Sequence, residues 1–496
     1  YDVDTISVWN YDIAPWRNEP RMIAQLNIEY EDGTNDAVIS DDSWSCIYSS
    51  SEIRSGGIRQ GELLLSLTKD LDLWKKSVIC NPPCIILSAE SMPGSKVIEV
   101  LEAKSITEPK PGVFVFDFGQ NISGWGRLKQ GTSATLRYAE RLADDGTITQ
   151  EPIDCFYKTG DGNFQTDHLA SFIDSKKPTE PKFTYHGFRY VQFEDLNKKP
   201  TKDTLKACVV HTDFKSAGSF ECSNELLNKI QQCTLWSYRG NFANGFPTDC
   251  PHREKNGWTG DAHLAAEQAM YNWQNVAAYE KWMNDCKDEQ QPDGNIAAII
   301  PTSGWGYQWG NGPAWDSAYV LIPWYLYRYE GDVRVLENHY DNMRLYVDYM
   351  TSRADAEGLV SHGLGDWAPY KTVTPVVVTS SGYYYVDALI VSKAAALLGK
   401  DSDAKKYGDL ADKIREAYNK RLYQGDGVYS IGSQTAQSCA LHQGFAEALA
   451  ADDRAKVVER LVESVEKSGG HLDFGILGAK YFFRSLSENG HADLAY

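Results

Sequence analysis

Long apolar runs are missing from this sequence. No stretch approaches the roughly 18 residues needed to cross a bilayer, and the start carries neither a basic flank nor an apolar signal segment, so membrane insertion is not expected. Clustered cations are missing too: the formal net charge is -19 and no Lys/Arg block relieves it locally. Such a surface repels phosphate backbones and anionic lipid, which removes nucleic acid from the expected partners. Metal-ligand spacing is absent among the 10 cysteines, because Cys80 and Cys84, the nearest pair, have no second pair to complete a zinc site. Scattered thiols of this kind are expected to be buried and free. There is no P-loop and no nucleotide-binding glycine fingerprint, and Asp161-Gly162 and Asp293-Gly294 read as turns before they read as calcium ligands. Neither a metal nor an organic cofactor is expected.

What is present is an ordinary globular composition, 42% hydrophobic and 24% charged, in a chain of 496 residues. That length exceeds what one core serves and points to several domains. Aromatic residues are plentiful, with 14 Trp and 29 Tyr. Their faces pack well against the C–H faces of sugars, although most aromatics serve cores. The chain begins at Tyr1 without an initiator Met, as a processed product or a fragment would.

The first 215 residues read as β structure. Met22, Ala24, Leu26, Ile28 and Tyr30 alternate ahead of the turn Asp32-Gly33, the period-2 pattern of a half-buried strand. Val113 to Phe116, Thr135 to Ala139 and Phe188 to Phe193 read as further strands, and prolines at 82, 83, 109 and 111 punctuate them. A boundary is expected near residue 88. Near residue 216 the period changes to that of helices: Ser223 is a candidate cap for a helix carrying Leu226, Leu227, Ile230 and Cys233, and Leu336, Tyr340, Met343, Val347 and Met350 recur at spacings of three and four. About ten helical segments follow without a sequence repeat. Strands and helices in separate stretches argue for separate domains, and antiparallel helix pairs in a ring fit the second part. A closed ring of six pairs needs twelve helices, about one pair more than the pattern supplies.

The densest polar cluster is the run from Asn244 to Asp261, where Pro247, Pro251, Gly257 and Gly260 forbid a regular helix. It is expected to be a loop leading into a helix near Ala262, and it presents Asp249, Glu254 and Asp261 together. Acids fixed on such loops are common catalytic groups, and Trp258 is a candidate apolar wall that lifts a neighbouring carboxyl into the range of a general acid. A plainer reading stands beside it: Asp261 as a helix cap, Asp249 paired with Arg253, and Glu254 with Lys255 as a solvated pair.

The run Asp249-Cys-Pro-His-Arg-Glu-Lys-Asn-Gly-Trp-Thr-Gly-Asp261 resembles the signature of the bacterial α-L-rhamnosidases of glycoside hydrolase family 78. Phe116 to Trp125 and His186 to Val191 are similar to that family's β-sandwich signatures. Trp315-Asp-Ser-Ala318, Leu364-Gly-Asp-Trp367 and Asp493-Leu-Ala-Tyr496 resemble its helical-domain motifs, so the resemblance covers nearly the whole chain. It implies an N-terminal β-sandwich over 1–88, a second, concanavalin-like β-sandwich over 89–215, and an (α/α)6-barrel catalytic domain over 216–496 that lacks its last helices. It implies Glu254 as general acid and a substrate pocket drawn from Asp249, Arg253, Trp258, Asp261, Trp315, Asp316, Asp366, Trp367 and His471. It also implies export to a periplasm or the exterior. Two departures stand out. Many relatives carry an adjacent Asp-Glu pair where this chain has Glu254 alone, and the family's general-base motif follows the Asp-Leu-Ala-Tyr motif, so the base is expected beyond Tyr496.

Acetal cleavage forms an oxocarbenium-like transition state and a poor leaving group, so a protonated carboxyl must serve the departing oxygen while, in an inverting enzyme, a second carboxylate activates water. The expected function is inverting hydrolysis of terminal α-L-rhamnose from plant-type glycosides or polysaccharides. A same-fold enzyme acting on another sugar and a non-catalytic carbohydrate-binding protein are the alternatives.

Overall fold

The computed structural model describes residues 18, 21–47, 53–64, 74–82, 86–153, 164–170, 177–194, 196 and 199–496. Cys84, Cys155, Pro83 and the Asp161-Gly162 pair lie outside the described residues.

Strands dominate up to residue 212. The main sheet has nine strands, in the order Ile53–Gly57, Gly61–Leu64, Thr166–Leu169, Ala134–Ala139, His186–Glu194, Val113–Leu128, Leu205–Thr212 and Ser95–Glu102, with Ser105–Lys110 also paired to Val113–Leu128. Residues 53–64 therefore share one sheet with residues from beyond position 88. The long strand Val113–Leu128 changes partner midway, where its register against His186–Glu194 shifts between Asp117 and Ile122: its first half pairs with Ser105–Lys110 and its second with Leu205–Thr212. Gly124, at φ +150°, lets this strand lie close against Leu205–Thr212, since a Cβ there would sit 1.8 Å from the Cys208 carbonyl oxygen. Continuously apolar segments fill the core beneath, where Phe116, Leu136, Tyr138, Phe188 and Phe193 are wholly buried. The alternating segment behaves otherwise. Gln25–Glu29 pairs with Asn35–Ile39, yet Met22, Leu26 and Tyr30 stand exposed, so the expected half-buried face is not covered by any described element.

From Glu225 onward the chain is helical. Ten helices longer than one turn follow one another: α1 (Glu225–Gly240), α2 (Thr259–Asn272), α3 (Val276–Glu289), α4 (Ala318–Glu330), α5 (Arg334–Arg353), α6 (Val376–Leu397), α7 (Asp401–Leu422), α8 (Gln434–His442), α9 (Ala451–Lys467) and α10 (Ile476–Glu488). The stripe Leu336, Tyr340, Met343, Val347 and Met350 is buried on α5, as its spacing requires. At α1 the expectation needs correcting. Asn224, not Ser223, caps the helix, accepting from the N–H groups of Leu226 at 2.8 Å and Leu227 at 3.4 Å. Leu226 and Ile230 are 63% and 53% exposed, because α1 turns Tyr238 instead toward the core.

Most tyrosines serve the helical core. Tyr279, Tyr319, Tyr346, Tyr407 and Tyr481 are buried there, and several direct their hydroxyls to partners, as Tyr384 does to Thr351 and Tyr429 to Asn419. All eight described cysteines are free, but only Cys208, Cys286 and Cys439 are buried; Cys46, Cys80 and Cys233 are exposed, against the expectation of buried thiols. Among the described residues no helix is long and apolar enough to cross a membrane, and no group of three or more His, Cys, Asp or Glu side chains is placed to hold a metal.

Candidate active site

The acid loop is closed on itself before it enters α2. Asp249 N–H donates to the Asn256 carbonyl at 3.1 Å, and Asn256 N–H returns to Asp249 Oδ1 at 3.0 Å. Beyond that latch the chain lies along residues 298–300: Thr259 N–H donates to the Ala298 carbonyl and Ile300 N–H to the Gly257 carbonyl, both at 2.8 Å. Gly257 has to be glycine, since a Cβ there would sit 1.9 Å from the Ile300 carbonyl oxygen. Trp315 packs under Gly260, where a Cβ would meet its ring at 2.5 Å. The helix then begins at Thr259, three residues before the expected start, which places Asp261 in its first turn.

This backbone gathers Asp249, Arg253, Glu254, Trp258 and Asp261 into one cluster. Glu254 and Trp258 are each 8% exposed. Trp258 meets Glu254 through its N–H, which donates to Oε2 at 2.9 Å, so the indole is a polar partner to the acid as well as a wall. Arg253 Nε lies 3.4 Å from the other oxygen, Oε1. Asp249 is held well above the usual carboxylate range, by burial first and then by Cys250, Glu254 and Asp261. Asp261 is pushed up to about 7, chiefly by burial, with Glu254 adding to it. Asp249 and Asp261 therefore both hold their protons to a higher pH than a solvated carboxyl does.

Two of the plain alternatives do not describe what is seen, while the third is close to it, since Asp261 lies in the first turn of α2 behind Trp258 at the cap position. Asp249 latches onto the Asn256 backbone, not Arg253. Glu254 and Lys255 are both buried and diverge, Lys255 adopting φ +54° and reaching the carbonyls of Ile58 and Tyr185.

Of the other expected pocket residues, Trp315 backs the acid segment at Gly260, and the remaining four make their contacts with the helical domain. Trp315 and Asp316 are 2% and 1% exposed, within the helical core. Asp316 Oδ2 accepts from Gly312 N–H at 2.6 Å, and burial drives its carboxyl far upward. Asp366 caps α10: Oδ1 accepts from the N–H groups of Leu477 and Gly478, and Oδ2 from Gly475 N–H and the Thr435 hydroxyl. All of that carboxylate is engaged by the protein itself. Trp367 is 49% exposed, and its carbonyl accepts from Ile476 N–H. His471 is exposed, and its carbonyl accepts from Gln434.

Two aromatics beside the acid loop escaped the sequence reading. Trp305 and Trp309 stack with ring centroids 4.0 Å apart, and Trp309 meets Trp258 edge-on at 6.0 Å. They sit in Ser303-Gly-Trp-Gly-Tyr-Gln-Trp-Gly310, and Gly310 brings the backbone against the Trp258 ring, 2.9 Å from where a Cβ would be. Tryptophan alternating with glycine was the available signal: ring faces held out on a backbone free to approach them closely.

Comparison with known proteins gives a consistent picture. Residues 215–496 match the model of the bacterial alpha-L-rhamnosidase 6 hairpin glycosidase domain, residues 107–211 that of the bacterial alpha-L-rhamnosidase concanavalin-like domain, and residues 3–103 that of the alpha-L-rhamnosidase N-terminal domain. An alpha-L-rhamnosidase from Streptomyces avermitilis is 32% identical over 96% of this chain and 46% of its own length. One from Formosa agariphila is 30% identical over 97% of this chain and 54% of its own. Among solved structures, alpha-L-rhamnosidase from Dictyoglumus thermophilum superposes with a TM-score of 0.86 at 35% identity, covering 96% of this chain and 54% of that one. The Streptomyces avermitilis alpha-L-rhamnosidase complexed with L-rhamnose superposes with a TM-score of 0.85 at 31% identity, covering 96% and 46%. The chain thus spans about half the length of these relatives.

Proposed function

The chain belongs to the bacterial α-L-rhamnosidase family, and from that premise we propose that it hydrolyses terminal non-reducing α-L-rhamnose from plant-type glycosides or polysaccharides, with Glu254 as proton donor and inversion at the anomeric carbon. The observation that carries this reading is the shielded cluster of Glu254, Asp249 and Asp261 against Trp258. Glu254 is fixed on one oxygen by the Trp258 N–H, and so is oriented before substrate arrives. Protonated, it delivers its proton to the departing glycosidic oxygen as the C–O bond breaks. An inverting route needs in addition a second carboxylate, about 6.5 to 9.5 Å from the first, to take a proton from the attacking water.

Asp249 and Asp261 suit sugar hydroxyls. A carboxyl kept neutral offers an O–H donor as well as an acceptor, and a hydroxyl-bonding pocket discriminates strongly, because a sugar lacking the hydroxyl leaves buried polar atoms unpaired. Trp258, Trp305 and Trp309 supply ring faces for the C–H side of the sugar. Trp367, half exposed, and His471, exposed, are assigned to the outer parts of the pocket, and Trp315, Asp316 and Asp366 to the scaffold that supports it.

A panel of nitrophenyl glycosides tests the activity: nitrophenol should be released from the α-L-rhamnoside and not from the α-L-fucoside or the β-D-glucoside. The reverse pattern removes the proposal. Calorimetric binding of L-rhamnose with no sugar released from any substrate would instead make this a binding protein. Proton NMR of the first product should show the β anomer of L-rhamnose.

A further inference from the structure

The peptide that carries Glu254 is clamped from outside the helical domain. Arg59, in the turn between the strands Ile53–Gly57 and Gly61–Leu64, reaches across to it. Its Nη2 donates to the Glu254 carbonyl at 2.6 Å and to Asn256 Oδ1 at 3.3 Å, and its Nε donates to the carbonyls of Arg253 at 3.1 Å and Glu254 at 3.2 Å. The contact runs both ways. Lys255, wholly buried, donates to the carbonyls of Ile58 and Tyr185 and lies over the Tyr185 ring, 4.3 Å from its centroid. Each side chain reaches the backbone beside the other, Arg59 at residues 253 and 254 and Lys255 at Ile58, and Glu254 lies between the clamped peptides.

The turn that carries Arg59 is hydrogen-bonded into the main sheet. The Arg59 carbonyl accepts from Gln165 N–H at 3.0 Å, and the next carbonyl, of Gln60, accepts from Thr166 N–H at 2.6 Å. Asp167 then binds Glu62 N–H, the Tyr138 hydroxyl and His186 Nε2, all buried. At the opposite side of the loop, a Cβ on Gly187 would strike Pro251 at 2.8 Å, so the strand His186–Glu194 abuts the acid loop directly. Arg59 is only 4% exposed, and the desolvation cost of burying its charge is offset by these carbonyl acceptors.

We propose that Arg59 is a positioning residue for the general acid: the N-terminal sheet completes the active site by fixing the Arg253–Glu254–Lys255 backbone, so that the Glu254 carboxyl is held on the leaving-group side. The proposal rests on Glu254 being the acid. A planar donor fork spans several carbonyls where an ammonium cannot, which makes arginine at 59 specific.

The test compares wild type, Arg59→Gln, Arg59→Lys and Glu254→Gln on a nitrophenyl and an alkyl α-L-rhamnoside, with L-rhamnose affinity and thermal midpoint measured alongside. The alkyl aglycone needs the proton and the nitrophenyl aglycone does not. For both Arg59 variants the ratio of kcat/KM on nitrophenyl over alkyl substrate should rise about tenfold or more, through kcat, with L-rhamnose affinity within about twofold of wild type. Equal loss on the two aglycones, or no change, overturns the proposal. So does loss of the fold in both variants, since Arg59 would then be holding domains together and not the acid. If the ratio stays flat in Glu254→Gln as well, the acid assignment fails, and not its positioning alone.

Discussion

Asp261→Asn gives the sharpest pH-dependent prediction. In the folded chain burial and the nearby Glu254 push Asp261 from 3.8 up to about 7. The folded state therefore keeps this proton to a higher pH than the unfolded chain does. Below pH 3.8 both states are protonated and Asp261 has no electrostatic effect on stability. Between pH 3.8 and about 7 stability falls as pH rises, and above 7 the loss is complete. At 1.36 kcal/mol for each tenfold change in proton affinity, the ceiling is about 4 kcal/mol, and solvent at this partly exposed side chain lowers it. Asparagine keeps the shape and removes the ionisation. In a domain of this size 1 kcal/mol moves the melting midpoint by about 2 °C, so the variant should melt several degrees above wild type at pH 8 and level with it at pH 4. Scanning fluorimetry of the two proteins across that range is sufficient. A difference independent of pH, or a variant less stable at pH 8, would refute the electrostatic account of the cluster.

Three further outcomes follow from the same geometry. Gly257→Ala places a methyl 1.9 Å from the Ile300 carbonyl and breaks the strand-like contact behind the acid loop, so activity should drop at least about a hundredfold; near-normal kcat would show that the loop tolerates displacement. Asp366→Ala removes the acceptor for three N–H groups at the start of α10 and should lower unfolding stability in urea by about 2 to 4 kcal/mol, whereas a raised KM without lost stability would return Asp366 to the sugar pocket. Trp309→Ala strips one face of the Trp305 stack and should raise KM for rhamnosides with little change in melting midpoint, while an unchanged KM would remove this pair from the binding surface.

The sequence was most legible where local chemistry determines structure. Alternation of period fixed the change from strands to helices near residue 216, and the stripe from Leu336 to Met350 is buried as its spacing requires. Pro247, Pro251 and Gly257 marked a loop, and the loop is there with Asp249 and Glu254 on it, but Gly260 does not hold the helix back: α2 takes in both Gly260 and Asp261. Tertiary partners were not legible. Asp366 reads in sequence like any acid beside a tryptophan; only the chain fold brings residues 475–478 to it. Leu226 and Ile230 have the spacing of a core face, but spacing does not say which side a helix turns inward. Lys255 follows an acid and looks solvated, yet a left-handed φ sends it into the sheet domain instead. Arg59 lies 195 residues from Glu254, beyond any local pattern.

The central claim is that Glu254 hands its proton to the departing oxygen. Rates of Glu254→Gln and wild type should be compared over a series of α-L-rhamnosides whose aglycones span a wide range of leaving-group acidity. The account predicts a shallow dependence for wild type and a steep one for the variant, nearly full activity remaining only for the most acidic aglycones. Parallel lines for the two proteins, whatever their separation, would contradict it.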